Sequence, residues 1–301
     1  MRRPWPRIFA DFRMAETLSM NLNDHAVRLE WQAPSEGRSC FVLVHGGGLD
    51  HEAWMPVARH LAREGYGLIA PDLPGHGRSA GAARADVPSM AGWLLDLIQA
   101  LTAAQAMLGK SPLIIAGHSM GSMIALECAA AAGRGDTRLG ARIAGIALLG
   151  TAFPLAVAPA LLDMAKGDEA AARQKINGWS HATPRPGEGE VTPAMAAAMA
   201  ANLAAMERQA TGVLHTDFRA CAEYADGLRR AAELSCPTLL LLGEKDRMTP
   251  PRGAEGLAAK LQLRVPATTE ILPGAGHNLM GEQPERVTKV LIAFADRIDR
   301  P

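Results

Sequence analysis

Five short stretches of this chain are apolar without a break: CFVLVH (40–45), GLIAP (67–71), PLIIAG (112–117), IAGIALLG (143–150) and PTLLLLG (237–243). A strand with one face in water alternates apolar and polar residues, whereas a strand covered on both faces does not. Between these runs lie segments, about 53–64, 90–108, 120–132, 252–263 and 283–297, in which apolar residues recur at three- and four-residue steps, the spacing of a helix face. Buried strands alternating with helices leave few solutions besides a mostly parallel sheet with helices on both sides. AVRLEWQ (26–32) does alternate and is expected as a half-buried hairpin strand, and TTEILP (268–273) as the last strand.

The alternation stops between residues 152 and 235, where Ala and Met dominate and HATPRPGEGE (181–190) supplies one irregular loop. Strand–helix order resumes at Pro237, so this stretch is an insertion within one fold, a helical subdomain of roughly four helices. The expected organisation is a lead-in over 1–25, partly disordered, a core made of 26–151 and 236–301, and a helical cap over 152–235. Met14 would serve as a start as well as Met1.

Charge narrows the function classes. Thirty-one Lys and Arg balance 31 Asp and Glu, with no basic arm, which speaks against nucleic acid or an anionic membrane as partner. No run of 18 apolar residues predicts a membrane span, and MRRPWPRIFADFR lacks the apolar centre of a secretory signal. Cys40, Cys128, Cys221 and Cys236 are dispersed and without CxxC spacing, as expected of reduced thiols in a cytoplasmic protein. There is no GxxxxGK[ST], no GxGxxG opening a helix and no metal-ligand spacing, so neither cofactor nor metal is implied.

One junction carries chemistry. In LIIAGHSMGSMIAL (113–126) a strand runs through G-x-S-x-G into a helix. Glycines at 117 and 121 permit a sharp, crowded bend that lifts Ser119 above the strand ends. A serine hydroxyl needs a base to take its proton, and a neutral histidine needs a carboxylate to set its tautomer. LLLLGEKDRMTP (239–250) ends a strand with Asp246, with Glu244 as the rival two residues earlier, and EILPGAGHNLM (270–280) ends the next with His277. Of nine histidines, His277 alone follows Asp246 in the order serine, acid, histidine expected of this turn. Oxyanion donors should be backbone N–H groups: Met120, which opens the helix, and Gly47 in VHGGG (44–48).

Four blocks, HGGG (45–48), PDLPGHGRS (71–79), GHSMG (117–121) and the pair GEKDRMTP (243–250) with GAGHN (274–278), make the chain resemble an α/β-hydrolase-fold serine hydrolase over almost all of 26–297. The resemblance implies an α/β fold with a mostly parallel eight-stranded sheet, its site at one strand edge, and a cap inserted after the sixth strand. Asp246 also matches the family's G-x-x-D spacing from Gly243.

The expected chemistry is acyl transfer to water from a small carboxylic ester, with His277 as base, Asp246 behind it, and Gly47 and Met120 N–H groups on the oxyanion. A C–C bond hydrolase, a lactonase or a cofactor-free perhydrolase would use the same triad, and a binding protein that keeps the fold is the reading from another class. Dehalogenases and epoxide hydrolases of this fold carry an aspartate where this chain has Ser119. Candidates to touch substrate are His51, His118, Trp179, His181 and Met206, with His215 beside them; His45 and His76 read as structural. Met164, Met195, Met199 and Met206 recur at helical spacing and suit either core packing or the apolar underside of a lid. The apolar helices of the insertion leave room for a homodimer.

Overall fold

The computed structural model describes residues 16–104, 108, 111–135, 143–183 and 190–300. Its centre is one eight-stranded sheet. In chain order the elements begin with β1 (Glu16–Leu22), β2 (His25–Gln32), β3 (Cys40–Val44), α1 (Met55–Arg63), β4 (Gly67–Pro71), α2 (Val87–Ala104), β5 (Leu113–His118), α3 (Met120–Gly133) and β6 (Ile143–Leu149). Then come α4 (Pro159–Gly167), α5 (Glu169–Trp179), α6 (Pro193–Glu207), α7 (Val213–Glu223) and α8 (Gly227–Ala231). The chain returns to the sheet with β7 (Thr238–Gly243), α9 (Glu255–Gln262), β8 (Ala267–Leu272), α10 (Leu279–Glu282) and α11 (Pro284–Asp299).

The strand order is β1-β2-β4-β3-β5-β6-β7-β8. β1 and β2 run antiparallel to each other and β2 antiparallel to β4, and from β4 to β8 all neighbours are parallel. Parallel strands need crossovers, and each crossover returns over one face, so β3, β5 and β7 are buried at every residue. One apolar cluster joins α2, α3, α8 and α9 to the sheet, with Leu94, Ile115, Leu148 and Leu257 in it; a second joins α1, α10 and α11 through Leu61, Leu149, Leu241 and Leu291. α2 is as long and apolar as a membrane span, but nine of its side chains are buried, as suits the central helix of a core. Its start precedes the apolar periodicity because Asp86 caps it, accepting from Ser89 N at 2.7 Å.

Two expectations need correction. Residues 16–22, assigned to the lead-in, form edge strand β1; residues 1–15 lie outside the described residues. The reason is the Asn23–Asp24 pair, both at positive φ (51° and 65°), a two-residue turn whose twist suits a hairpin, while Leu18, Met20 and Leu22 pack on the first cluster. Between β6 and β7 there are five helices among the described residues, the fifth being the short α8, whose Ala231 belongs to the sheet-side cluster. The other four carry a third apolar cluster: Leu161, Ala165, Ala172, Ile176, Ala205, Met206, Leu214 and Phe218 close over Leu49 of the core. Part of the irregular loop expected at 181–190, residues 184–189, lies outside the described residues.

Leu148 on β6 is wholly buried between sheet and helices. Leu148→Ala should therefore cost about 2–5 kcal/mol in urea unfolding with an unchanged m-value, and a loss under about 1 kcal/mol would contradict this packing.

Candidate active site

Since β3 through β8 run one way, the segments after their C-terminal ends gather at a single edge: 45–50 after β3, 72–79 after β4, Ser119 after β5, 150–151 after β6, 244–250 after β7 and 273–278 after β8. Ser119 stands at the sharpest of these turns, with φ +53° and ψ −118°. That conformation is costly for a residue with a side chain and persists only where the surroundings enforce it. The enforcement is visible: a Cβ at Gly117 would lie 1.9 Å from the Gly121 carbonyl oxygen, and one at Gly121 would lie 2.4 Å from that of Val44. Ser119 N donates to the Leu149 carbonyl at 2.9 Å, which ties the bend to the next strand. The side chain makes no cap hydrogen bond to α3, so Oγ is not spent on the helix.

His277 lines the same cavity as Ser119. Its Nδ1 lies 2.8 Å from Asp246 Oδ2, and Thr249 Oγ1 donates to that same oxygen at 2.7 Å. The other oxygen, Oδ1, accepts from Met248 N and Thr249 N, each at 2.8 Å. Burial pushes the Asp246 carboxyl up, but the charge of His277 and the bonds from His277 and Thr249 outweigh it and hold the group below the usual carboxylate range. With Nδ1–H aimed at an ionised carboxylate, Nε2 is the nitrogen free to act as base. Glu244, the rival acid, accepts instead from Gly274 N at 2.8 Å and stays exposed.

The cavity is bounded by Gly46, Gly47, Leu49, His118, Ser119 and His277 from the core loops. The insertion adds Ile176, Ser180, Asn202, Met206 and Phe218, and Met248 and Asn278 complete it. Gly47 and the N-terminal residue of α3, Met120, thus flank Ser119, and a helix N1 amide has no partner inside its own helix. Of the substrate-contact candidates, Met206 and His118 border the cavity and the others do not. His51 is turned onto the loop after β4, with Nδ1 2.6 Å from Asp72 Oδ1. His181 is buried between Asn177 and Asn278, bonded to both, because its ring fills the joint between α5 and the His277 loop. Trp179 lies under the Lys175 ammonium, 5.1 Å from the ring centre, and packs on the third cluster. His215 is half-buried on α7 outside the cavity lining.

His118 borders the cavity as a wall. Its Nε2–H donates to the His277 carbonyl at 2.9 Å, so Nδ1 is bare, and that atom is buried without a partner. Burial, then the charge of His277, push its pKa down to about 3. Residues missed from sequence are Thr249, Asn202 and Phe218. Thr249 was legible as the hydroxyl three residues after the acid, and Asn202 as the one polar residue between Pro193 and Glu207. Asn202 Nδ2 donates to Asn177 Oδ1 at 2.9 Å, leaving the rest of its amide for the cavity.

The insertion grips the core at several places. Glu282 accepts from Ala182 N at 2.9 Å and Gly276 N at 3.0 Å, joining the start of the irregular loop to the His277 turn. On the other side Gln209 and Arg208 donate to Asp50 Oδ2 at 3.2 and 3.0 Å. Among the described residues Asp50, His51 and Asp72 bring three ligand-type atoms within 4.8 Å. Their carboxylate oxygens are already taken by Glu52 N, Arg208 and Gln209 on Asp50, and by His51 and Arg78 N on Asp72. That constellation is a hydrogen-bonded brace in which every carboxylate oxygen already accepts at least one bond.

Two predictions follow from this geometry. Gly117→Ala should abolish phosphonate labelling of Ser119 and destabilise the chain by at least the about 1–3 kcal/mol of an overpacked site, because the obstructing atom is backbone. Normal labelling in that variant would refute the elbow as described. For pH, His118 titrates near 3 when folded but near 6.5 when unfolded. His45 is also lowered, by burial and then by the charge of His76. Below pH 6.5 the unfolded chain binds protons that these folded sites refuse, so stability falls as pH falls, by up to about 1.4 kcal/mol per pH unit for each histidine. His51 and His76 are raised and burial pushes Glu282 up to about 7, so between pH 7 and 5 the folded chain holds protons at these three groups that the unfolded chain binds less, and their contribution grows as pH falls and offsets part of the histidine loss. In urea unfolding between pH 7 and 5 the parent should lose about one histidine's share more stability than His118→Gln does; the same pH dependence in both would overturn the assignment.

Comparison with known proteins agrees with this architecture. Residues 41–290 match the model of the alpha/beta hydrolase family. Over 112 residues the chain is 35% identical to (E)-2-((N-methylformamido)methylene)succinate hydrolase of Acinetobacter baylyi, a stretch covering 37% of this chain and 38% of that one. It is 28% identical over 267 residues, 85% of this chain and 92% of the relative, to lipase LipV of Mycobacterium tuberculosis. Among solved structures, the esterase EaEST of Exiguobacterium antarcticum superposes with a TM-score of 0.75 at 18% identity, over 94% of this chain and all (100%) of that one. With five-sixths of its length matched by the family model and the strand order, elbow and acid–histidine pair described above, this chain belongs to the α/β hydrolase family.

Proposed function

We propose that the chain hydrolyses small carboxylic esters through an acyl-enzyme on Ser119. The observation that carries the reading is the shared cavity in which an uncommitted, strained Ser119 meets a histidine whose Nδ1 is bonded to buried Asp246. His277 Nε2 takes the Ser119 proton as Oγ adds to the ester carbonyl, and the Gly47 and Met120 N–H groups stabilise the oxyanion. Asp246 holds the imidazole and balances its charge, and Thr249 orients Asp246. Collapse of the tetrahedral intermediate passes the proton from His277 to the leaving alcohol. Water, deprotonated by the same nitrogen, then releases the acid.

The helices between β6 and β7 act as the cap of this site, and residues 152–235 are its extent. The cavity has room for about 30 Å³, the space of roughly one water molecule, and its wall mixes Leu49, Ile176, Met206 and Phe218 with the Asn202 amide and Ser180. This favours short acyl groups, with room for one polar substituent near Asn202. Four dispersed, buried cysteines suit a reducing, cytoplasmic setting.

Hydrolysis of p-nitrophenyl esters from acetate to decanoate tests the reading. Activity should peak at acetate to butyrate, fall by about tenfold or more at decanoate, and drop by about a thousandfold or more in Ser119→Ala, in line with loss of a triad nucleophile. Hydrolysis retained in Ser119→Ala, or a parent that turns over no ester, would sink it.

A further inference from the structure

The glycine loop after β3 is held from above by the insertion. Gly48 N donates to Asp217 Oδ2 on α7 at 2.7 Å, across 169 residues of chain. His76 Nε2 lies 2.7 Å from the same oxygen, and its Nδ1 lies 3.1 Å from the Pro74 carbonyl. Both ring nitrogens therefore face acceptors and both must donate, which makes His76 an imidazolium paired with Asp217. Asp217 is 0% exposed and His76 1%. A carboxylate this near the expected oxyanion would by itself oppose the developing negative charge; the imidazolium neutralises it, so the pair acts through geometry.

The fit leaves no slack. A Cβ at Gly48 would lie 2.6 Å from Leu214 Cδ1, and one at Gly47 would lie 3.3 Å from both Asp217 Cβ and the Phe218 ring. Leu214, Asp217 and Phe218 are successive contacts on one face of α7, three and four residues apart. Leu49 N donates to the Gly46 carbonyl at 3.2 Å, closing a turn with Gly47 and Gly48 at its centre, and Gly48 has φ +68°, the value a type II turn demands there. The middle peptide of such a turn is the one that flips between turn types, and it is this peptide's N–H that Asp217 holds. Beside it, Gln209 Oε1 accepts from Gly77 N at 2.8 Å, so the same end of the insertion also fastens the loop that carries His76.

We propose that Asp217, neutralised by His76, is a positioning residue that fixes the Gly47–Gly48 peptide and with it the Gly47 oxyanion donor, so that the oxyanion site is complete only while the cap is seated. The proposal rests on the ester reading above, and cap docking then becomes a condition for acylation as well as for substrate enclosure.

The test is steady-state hydrolysis of a short p-nitrophenyl ester together with the rate of Ser119 inactivation by an organophosphonate, in the parent, Asp217→Ala, Asp217→Asn and His76→Asn, each checked for a cooperative unfolding transition. In Asp217→Ala, kcat should fall by about tenfold or more with KM within about threefold, and inactivation should slow in step, as for an interaction made mainly in the transition state. Asp217→Asn, which keeps an acceptor for Gly48 N–H, should recover most of the loss. His76→Asn, too short to reach Asp217, should lower kcat in the same direction and carries the test if Asp217→Ala does not fold. An unchanged kcat with a raised KM in Asp217→Ala, parent-like kinetics in His76→Asn, or no recovery in Asp217→Asn would overturn the proposal. A parent that neither cleaves esters nor reacts at Ser119 would instead refute the ester reading, and this inference with it.

Discussion

Backbone meets backbone where β5 turns into α3, with no room for a methyl group between Gly117 and Gly121 or between Gly121 and Val44. That contact sets the angle at which the helix leaves the sheet, and it forces Ser119 into a positive-φ conformation that a free chain avoids. The energy for this comes from elsewhere. β5 is the strand between β3 and β6, buried at every residue, and α3 is buried along most of its length, so the surrounding packing has stability enough to hold one strained residue. Ser119 stands at the strand edge, half-buried, because the glycines and the sheet leave it no other place.

A second layer depends on that edge. Once the strand ends line up, acids and histidines from distant segments fall within hydrogen-bond range, and burial makes each pairing consequential. Asp246 is stabilised as an anion by His277 and Thr249 and Asp72 by His51 and two amides, while Asp217 Oδ2 meets His76 and Gly48 N. His118, in contrast, finds a carbonyl on one side only and stays neutral. The environment, rather than residue type, sorts the histidines into imidazolium partners, a candidate base and a neutral wall.

The insertion is more than a cover for a pocket. It has its own apolar cluster, yet that cluster closes on Leu49, and its polar anchors reach the loops after β3, β4 and β8. An insertion joined at these points cannot move without disturbing the glycine loop or the turn that carries His277.

Much of this was legible in sequence for a physical reason: strand burial, helix faces and the glycine-flanked turn are written in periodicities and residue types within a few positions of each other. CFVLVH, PLIIAG and PTLLLLG declared buried strands, GHSMG declared the elbow, and the order of Ser119, Asp246 and His277 followed the strand ends. β1 was missed although ETLSMNL alternates, because an edge strand with one weakly buried face carries little signal until its partner is in place. His51 was placed at the substrate from its loop after HGGG, and Trp179 and His181 from their place in the insertion, and packing turns all three onto other partners. By itself the sequence determined the sheet, the turn that presents Ser119 and the order of its candidate partners. Only the tertiary structure decided that Asn202 faces the cavity and that Asp217 meets Gly48, since a contact between residues 169 positions apart exists only once two separately formed surfaces pack.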